Sequence, residues 1–126
     1  MKTRVGAGLL ASAMVFAICQ PAAAHHSHAM FDATREVTIK GAVTSFVFTN
    51  PHAILYVDVR EGNEVVKYWI EMTNIPTLIR SGIRATTFKP GDNVTVVLRP
   101  LTDGRPGGNY KVITAADGKM FTYDDR

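Results

Sequence analysis

Cysteine is all but missing from this chain. The single one, Cys19, lies within the first 24 residues. Once that segment is set aside, no disulfide, thiolate metal ligand or cysteine nucleophile can be built. A surplus of charge is also missing. Against 14 Lys and Arg stand 11 Asp and Glu, and Lys2 and Arg4 fall in the same leading segment. Without those two the balance is 12 to 11, a net of +1, too little for a field that steers nucleic acid. The chain shows no internal repeat and no low-complexity tract beyond the leader's alanines. Its longest uncharged apolar run, Val5 to Cys19, is 15 residues, short of the ~20 that span a bilayer.

The leading segment matches an export signal. Lys2 and Arg4 precede the apolar run, and Ala22 and Ala24 satisfy the small-x-small requirement of signal peptidase. Residues 1–24 are therefore expected to be a signal peptide, with the mature protein in the periplasm or outside a bacterial cell. Cleavage after Ala23 is the alternative. Ile18 before Cys19 argues against lipid anchoring, and no membrane insertion is expected after cleavage. With 46% hydrophobic and 20% charged residues, the remaining chain has the composition of one globular domain. The division expected is a His-rich arm over 25–35 and a single domain over 36–126.

Periodicity predicts an all-β domain with one short helix. Residues 36–49 alternate as a strand, with Val37, Ile39, Val43 and Val47 on one face and Gly41 marking a bulge or bend. Past Gly41 the opposite face, Phe46 and Phe48, is apolar too. Asn50-Pro51-His52 breaks the run. Strands follow over 53–60 and 65–72 around a hairpin loop at 61–64. Asn74 as N-cap, Pro76 in the first turn and Gly82 as terminator mark a short helix, lined by Ile75, Leu78 and Ile79. Lys89-Pro90-Gly91-Asp92 fits a type II turn leading into a strand over 93–99. A loop over 100–109 and a strand over 110–116 come next. Asp117-Gly118, a two-residue hairpin signal, introduces a last strand over 120–123. Three meandering strands, a helix and two more strands, the first of them bent, is the element order of a small OB-fold-like barrel of five to six strands.

The histidines carry most of the chemistry. His25, His26 and His28 fall within the first four residues of the expected mature chain, and His52 occupies the loop between the first two strands, a usual binding loop of that barrel. Cleavage after Ala24 gives His25 a free α-amino group, which can chelate one metal ion together with its ring nitrogen. A further imidazole from His26, His28 or His52 completes an all-nitrogen site, to which Asp32 can add an oxygen. Such donors favour Cu(II), with Ni(II) or Zn(II) behind. Cleavage after Ala23 instead places His25 second and His26 third from the amine, again a Cu(II)/Ni(II) chelating pattern. The competing account is an unstructured tail that chelates without a role.

Catalysis has less to stand on. Ser45, His52 and Asp58 could be assembled as a nucleophile set, but without nucleophile-elbow spacing. Gly104-Arg105-Pro106-Gly107-Gly108 opens no helix, so it is no phosphate loop. Glu61, Glu64 and Glu71 read as solvated strand-edge or turn charges. Phe46, Phe48, Tyr56 and Trp69 could share an outer stacking face. The favoured reading is that the arm covers them through Met30 and Phe31.

The segments Ala24-His25-His26-Ser27, Gly41-x-Val43, Asn50-Pro51-His52 and Lys89-Pro90-Gly91-Asp92 together resemble a family of small secreted bacterial proteins classed as a domain of unknown function. Its members commonly carry an aromatic just before Asn-Pro-His, where this chain has Phe48-Thr49, and often only two arm histidines, so His28 is an addition. The resemblance implies an exported single domain and draws attention to His25, His26 and His52, but brings no activity. Two functions therefore stand. One is a non-enzymatic domain holding a copper-class metal through the mature N-terminus and the Asn-Pro-His loop. The other is a metal-free module binding a periplasmic protein or small ligand through loops 50–53 and 100–109.

Overall fold

The computed structural model describes residues 28–123. The expected signal peptide, His25 and His26 lie outside the described residues. Six strands are formed: β1 (Val37–Val47), β2 (Ile54–Glu61), β3 (Glu64–Glu71), β4 (Asn93–Pro100), β5 (Gly107–Ala115) and β6 (Met120–Thr122). One helix, α1 (Ile75–Arg80), lies between β3 and β4. The hydrogen-bonded order β3-β2-β1-β4-β5-β6 closes on itself because β3 also pairs with β5, in parallel. The result is the expected OB-like barrel of five strands with β6 as an added edge.

Gly41 explains how β1 serves both halves of the barrel. It pairs with Val59 of β2 on one side and Val94 of β4 on the other. A Cβ at this position would overlap the Asp58 carbonyl oxygen. The backbones crowd here, and only glycine leaves room. The register irregularity itself comes later, between Val43 and Ser45. One extra residue reverses the alternation of side chains. Val47, expected on the core face, is therefore turned outward and exposed. Phe46 and Phe48 turn inward instead, and Phe46 meets Phe88 edge to face at 5.3 Å, which in turn meets Phe121 at 5.5 Å.

In β2, β3 and β4 the alternation holds. Leu55, Val57 and Val59 of β2, Ile70 of β3, and Val94, Val96 and Leu98 of β4 fill the interior. Asn74 caps α1, its side-chain oxygen accepting from the Thr77 N–H at 3.0 Å. The helix buries Thr77 and Leu78 while Ile79, expected on its inner side, is exposed. Ile83 and Phe88, from the connection to β4, join the same core. In the Lys89–Asp92 turn Gly91 takes φ +92 and the Asp92 N–H donates to the Lys89 carbonyl. The loop before β6 has three residues rather than two, since Ala115 N–H bonds Lys119 O and Gly118 takes φ +87, the type I turn plus left-handed glycine arrangement.

The largest departure concerns residues 107–109, expected in a loop. They are the start of β5 and close the barrel, pairing Gly107 with Trp69, Gly108 with Ile70 and Asn109 with Glu71. Both glycines are there because side chains would not fit. A Cβ on Gly107 would overlap the Trp69 carbonyl oxygen, and one on Gly108 the Arg99 carbonyl oxygen. No helix among the described residues is long and apolar enough to cross a membrane.

Candidate functional site: the His52–Glu71 pair and the arm

The β2–β3 hairpin turns through two residues, Gly62 and Asn63, with Glu61 facing Glu64. Gly62 takes φ +61, as the first central position of a type II′ turn requires. That turn fixes every later pairing, down to Ile54 opposite Glu71. Two more bonds, Ala53 N–H to Thr73 O at 3.1 Å and Met72 N–H to Ala53 O at 2.8 Å, carry the ladder one step further. His52 is thereby brought diagonally against Glu71, within reach of its carboxylate.

The two side chains meet. His52 Nδ1 lies 2.8 Å from Glu71 Oε1, with the carboxylate side chain 10% exposed and the imidazole 37%. Glu71 is thus buried and paired, not the solvated edge charge expected from its place in the sequence. An ionised carboxylate only accepts, so against a neutral imidazole the shared proton sits on Nδ1. In that tautomer Nε2 carries the lone pair. Asn109 steadies the same spot by donating from Nδ2 to the Glu71 carbonyl at 3.3 Å. The Asn50–Pro51 bond before His52 is cis, and Asn50 Oδ1 accepts from Ile75 N–H at 2.9 Å, tying the loop to the start of α1.

The arm docks beside this pair. His28–Met30 form one 3-10 turn and Phe31 bridges Leu101. Asp32 N–H donates to Pro100 O at 2.9 Å, and Thr102 donates to the Met30 carbonyl from N–H at 2.9 Å and from Oγ1 at 3.2 Å. Phe31 is buried and stacks on Trp69, the rings 6.3 Å apart and inclined by 14°. Trp69 and Glu71 are two residues apart on β3, hence on one face and about 7 Å apart. Of the four aromatics expected to share the outer face, Trp69 is covered by Phe31 as anticipated, and Tyr56 lies opposite it in register. Phe46 and Phe48 belong to the core because of the bulge.

His28 precedes Phe31 by three residues in the sequence, and His25 precedes it by six. The Asp32 carboxylate accepts from Thr34 Oγ1 at 2.6 Å and from its N–H at 2.9 Å. These bonds hold its carboxyl below the usual carboxylate range and commit it to a local turn. Among the described residues, no three His, Cys, Asp or Glu side chains converge as a metal-binding group. His52 with Glu71 therefore offers one imidazole and not, among the described residues, a complete metal site. The Ser45-His52-Asp58 set is not assembled, since His52 faces Glu71 and Asp58 binds Lys67 Nζ at 2.8 Å.

Glu71 is the residue that reading by type missed. The signal was present in spacing, because counting back from the Gly62-Asn63 turn brings 71 to 54 and so next to 52.

Comparison with known proteins agrees with the resemblance noted above. The model of a family described as a family of unknown function (DUF6152) matches residues 13–110. No curated protein and no solved structure matches the chain.

Proposed function

The chain belongs to DUF6152, a family of unknown function, and because membership supplies no activity we propose from the geometry that it is an exported, non-enzymatic domain that binds a copper-class divalent metal. The ligands are the mature N-terminus with His25, assisted by His26 or His28, and His52 Nε2. The observation that carries this reading is the His52–Glu71 pair. Metal-binding imidazoles characteristically donate their other N–H to a carboxylate, which sets the tautomer and raises the basicity of the ligand nitrogen. The docking of Phe31 on Trp69 supports it, since it starts the arm on the face that carries the pair. All-nitrogen donors favour Cu(II) over Ni(II) and Zn(II).

The test is a Cu(II) titration of protein exported and processed in a bacterial periplasm, its N-terminus verified by mass spectrometry. One-to-one binding well below micromolar, weakened by both His25→Ala and His52→Ala, is expected. Binding unchanged by His52→Ala overturns the folded site and leaves a chelating tail on a metal-free interaction module.

A further inference from the structure

We propose that the mouth of the barrel, at the opposite end of β2 from His52, binds a small zwitterion, an α-amino acid with an apolar side chain. The proposal is independent of the metal reading. A cavity of about 240 Å³ opens there, and all five barrel strands contribute to its wall. Val37 comes from the start of β1, Glu61 from the end of β2, Tyr68 from β3, Leu98 from β4 and Gly107 from the start of β5. Barrel mouths are favoured places for small-molecule sites. Residues 104–106 of the loop before β5 complete the rim. That loop is seated by the Trp69 N–H donating to the Pro106 carbonyl at 3.3 Å and the Leu101 N–H donating to the Gly107 carbonyl at 3.2 Å. The volume is below the roughly 300–1,000 Å³ of pockets that take drug-sized ligands, which limits the occupant to a small metabolite.

The lining divides by chemistry. Leu98 and Leu101, both buried, and the half-buried Val37 and Pro100 give apolar surface for a hydrocarbon side chain. Arg35 and Arg105 bring two guanidinium groups from different segments. Arg35 enters no ion pair or side-chain hydrogen bond among the described residues. Arg105 is held by the Asp103 carboxylate, which accepts from its backbone N–H at 3.1 Å and its Nε at 2.7 Å. Those bonds fix the loop and use neither terminal nitrogen, the pair that takes a ligand carboxylate. The opposite charge comes from Glu61. Its Oε1 accepts from the Tyr68 hydroxyl at 2.6 Å, which orients the carboxylate and leaves Oε2 for a ligand ammonium. Two positive groups and one negative group around an apolar surface complement a molecule that carries carboxylate, ammonium and hydrocarbon together. A simple anion or a simple amine would leave one of them unanswered.

The experiment titrates the periplasm-processed protein, kept metal-free with EDTA, with L-leucine and L-valine by calorimetry. One-to-one binding tighter than about 1 mM is expected for at least one of them. The amino acid that binds is then compared with its analogues lacking the ammonium (4-methylpentanoate or 3-methylbutanoate) or the carboxylate (3-methylbutylamine or 2-methylpropylamine). Each analogue is expected to bind about tenfold more weakly or worse. Arg35→Gln and Arg105→Gln are each expected to weaken the amino acid about tenfold. Both should leave the melting temperature nearly unchanged, because these side chains are exposed and a surface ion pair contributes little. Arg84→Gln, an exposed arginine outside the cavity, is the control and should change affinity less than about twofold. Glu61→Gln should weaken the amino acid but not the analogue without the ammonium. Amide chemical shifts should move at Tyr68, Gly104, Arg105 and Gly107 and stay in place at His52. No binding of either amino acid at about 10 mM, affinity unchanged in both cavity arginine variants, or an analogue that binds as well as its parent overturns the proposal.

Discussion

Replacing Gly107 with alanine tests whether the β3–β5 seam holds the barrel and its site together. The added Cβ meets the Trp69 carbonyl oxygen, a backbone atom that cannot swing away, and Gly107 has φ +149, a region L side chains rarely adopt. Holding a non-glycine residue in such backbone costs about 1–3 kcal/mol. Relieving the overlap must also loosen a seam of only three residue pairs, each net hydrogen bond being worth about 0.5–1.5 kcal/mol. If all three pairings are lost the sum is about 2.5–7.5 kcal/mol, a large share of the ~5–15 kcal/mol that holds a typical domain. At roughly 4–8 °C per kcal/mol for a domain of this size, the melting temperature should drop by at least about 10 °C. Gly104→Ala is the control. Gly104 also has a positive φ, +80, but a Cβ there meets nothing within 4 Å. Only the left-handed backbone penalty of about 1–2 kcal/mol applies. Thermal and urea unfolding of the two variants side by side decides the matter. Equal losses would refute the argument that the close approach to Trp69, rather than glycine's backbone freedom, is what position 107 requires.

Two further outcomes follow from named contacts. Glu71→Ala removes the acceptor that orients His52, and is expected to weaken Cu(II) by about 10–100-fold, the usual effect of losing such a partner; an affinity equal to wild type would show that the pair plays no part in ligation. Tyr68 donates to Glu61 at 2.6 Å, and that bond, with burial and the Glu61 charge adding to it, pushes its phenol up to about 12. The protonated form is therefore the one the fold favours, so this contribution is complete below pH about 10 and lost as pH rises through about 12. Ultraviolet titration of the tyrosines should show a late phase near pH 12 that Tyr68→Phe removes; a late phase of unchanged amplitude would contradict the assignment.

What the sequence displayed were local signals. Alternation along β2 and β4, the Pro90-Gly91 turn, the Asn74 cap and Gly41 inside a strand each act through their own neighbours, and together they specify the element order of the barrel. What stayed hidden depends on partners distant in sequence. The irregularity between Val43 and Ser45 shows only against β2, and it decides whether Phe46 or Val47 faces inward. Gly107 and Gly108 look like loop glycines until Trp69 and Arg99 press against them. Glu71 looks like any strand carboxylate, and only the hairpin register joins it to His52. The arm was legible as a His-rich segment, while its mooring to Pro100 and Thr102 was not, because those bonds run through the main chain.

Closing β5 onto β3 also governs how copies of this protein behave toward one another. An open sheet offers two full-length rows of unpaired N–H and C=O groups on which another chain can template. Here the seam consumes the inner ends of both strands. Among the described residues the outer margins include three residues of β6 and the outer half of β3, where Glu64 and Lys67 place charge beside Val65. Short and charged margins of that kind discourage strand-by-strand self-association. In a chain with no disulfide to hold its domain shut, the three pairings that bring Asn109 against Glu71, the partner of its histidine, thus also remove exposed edge.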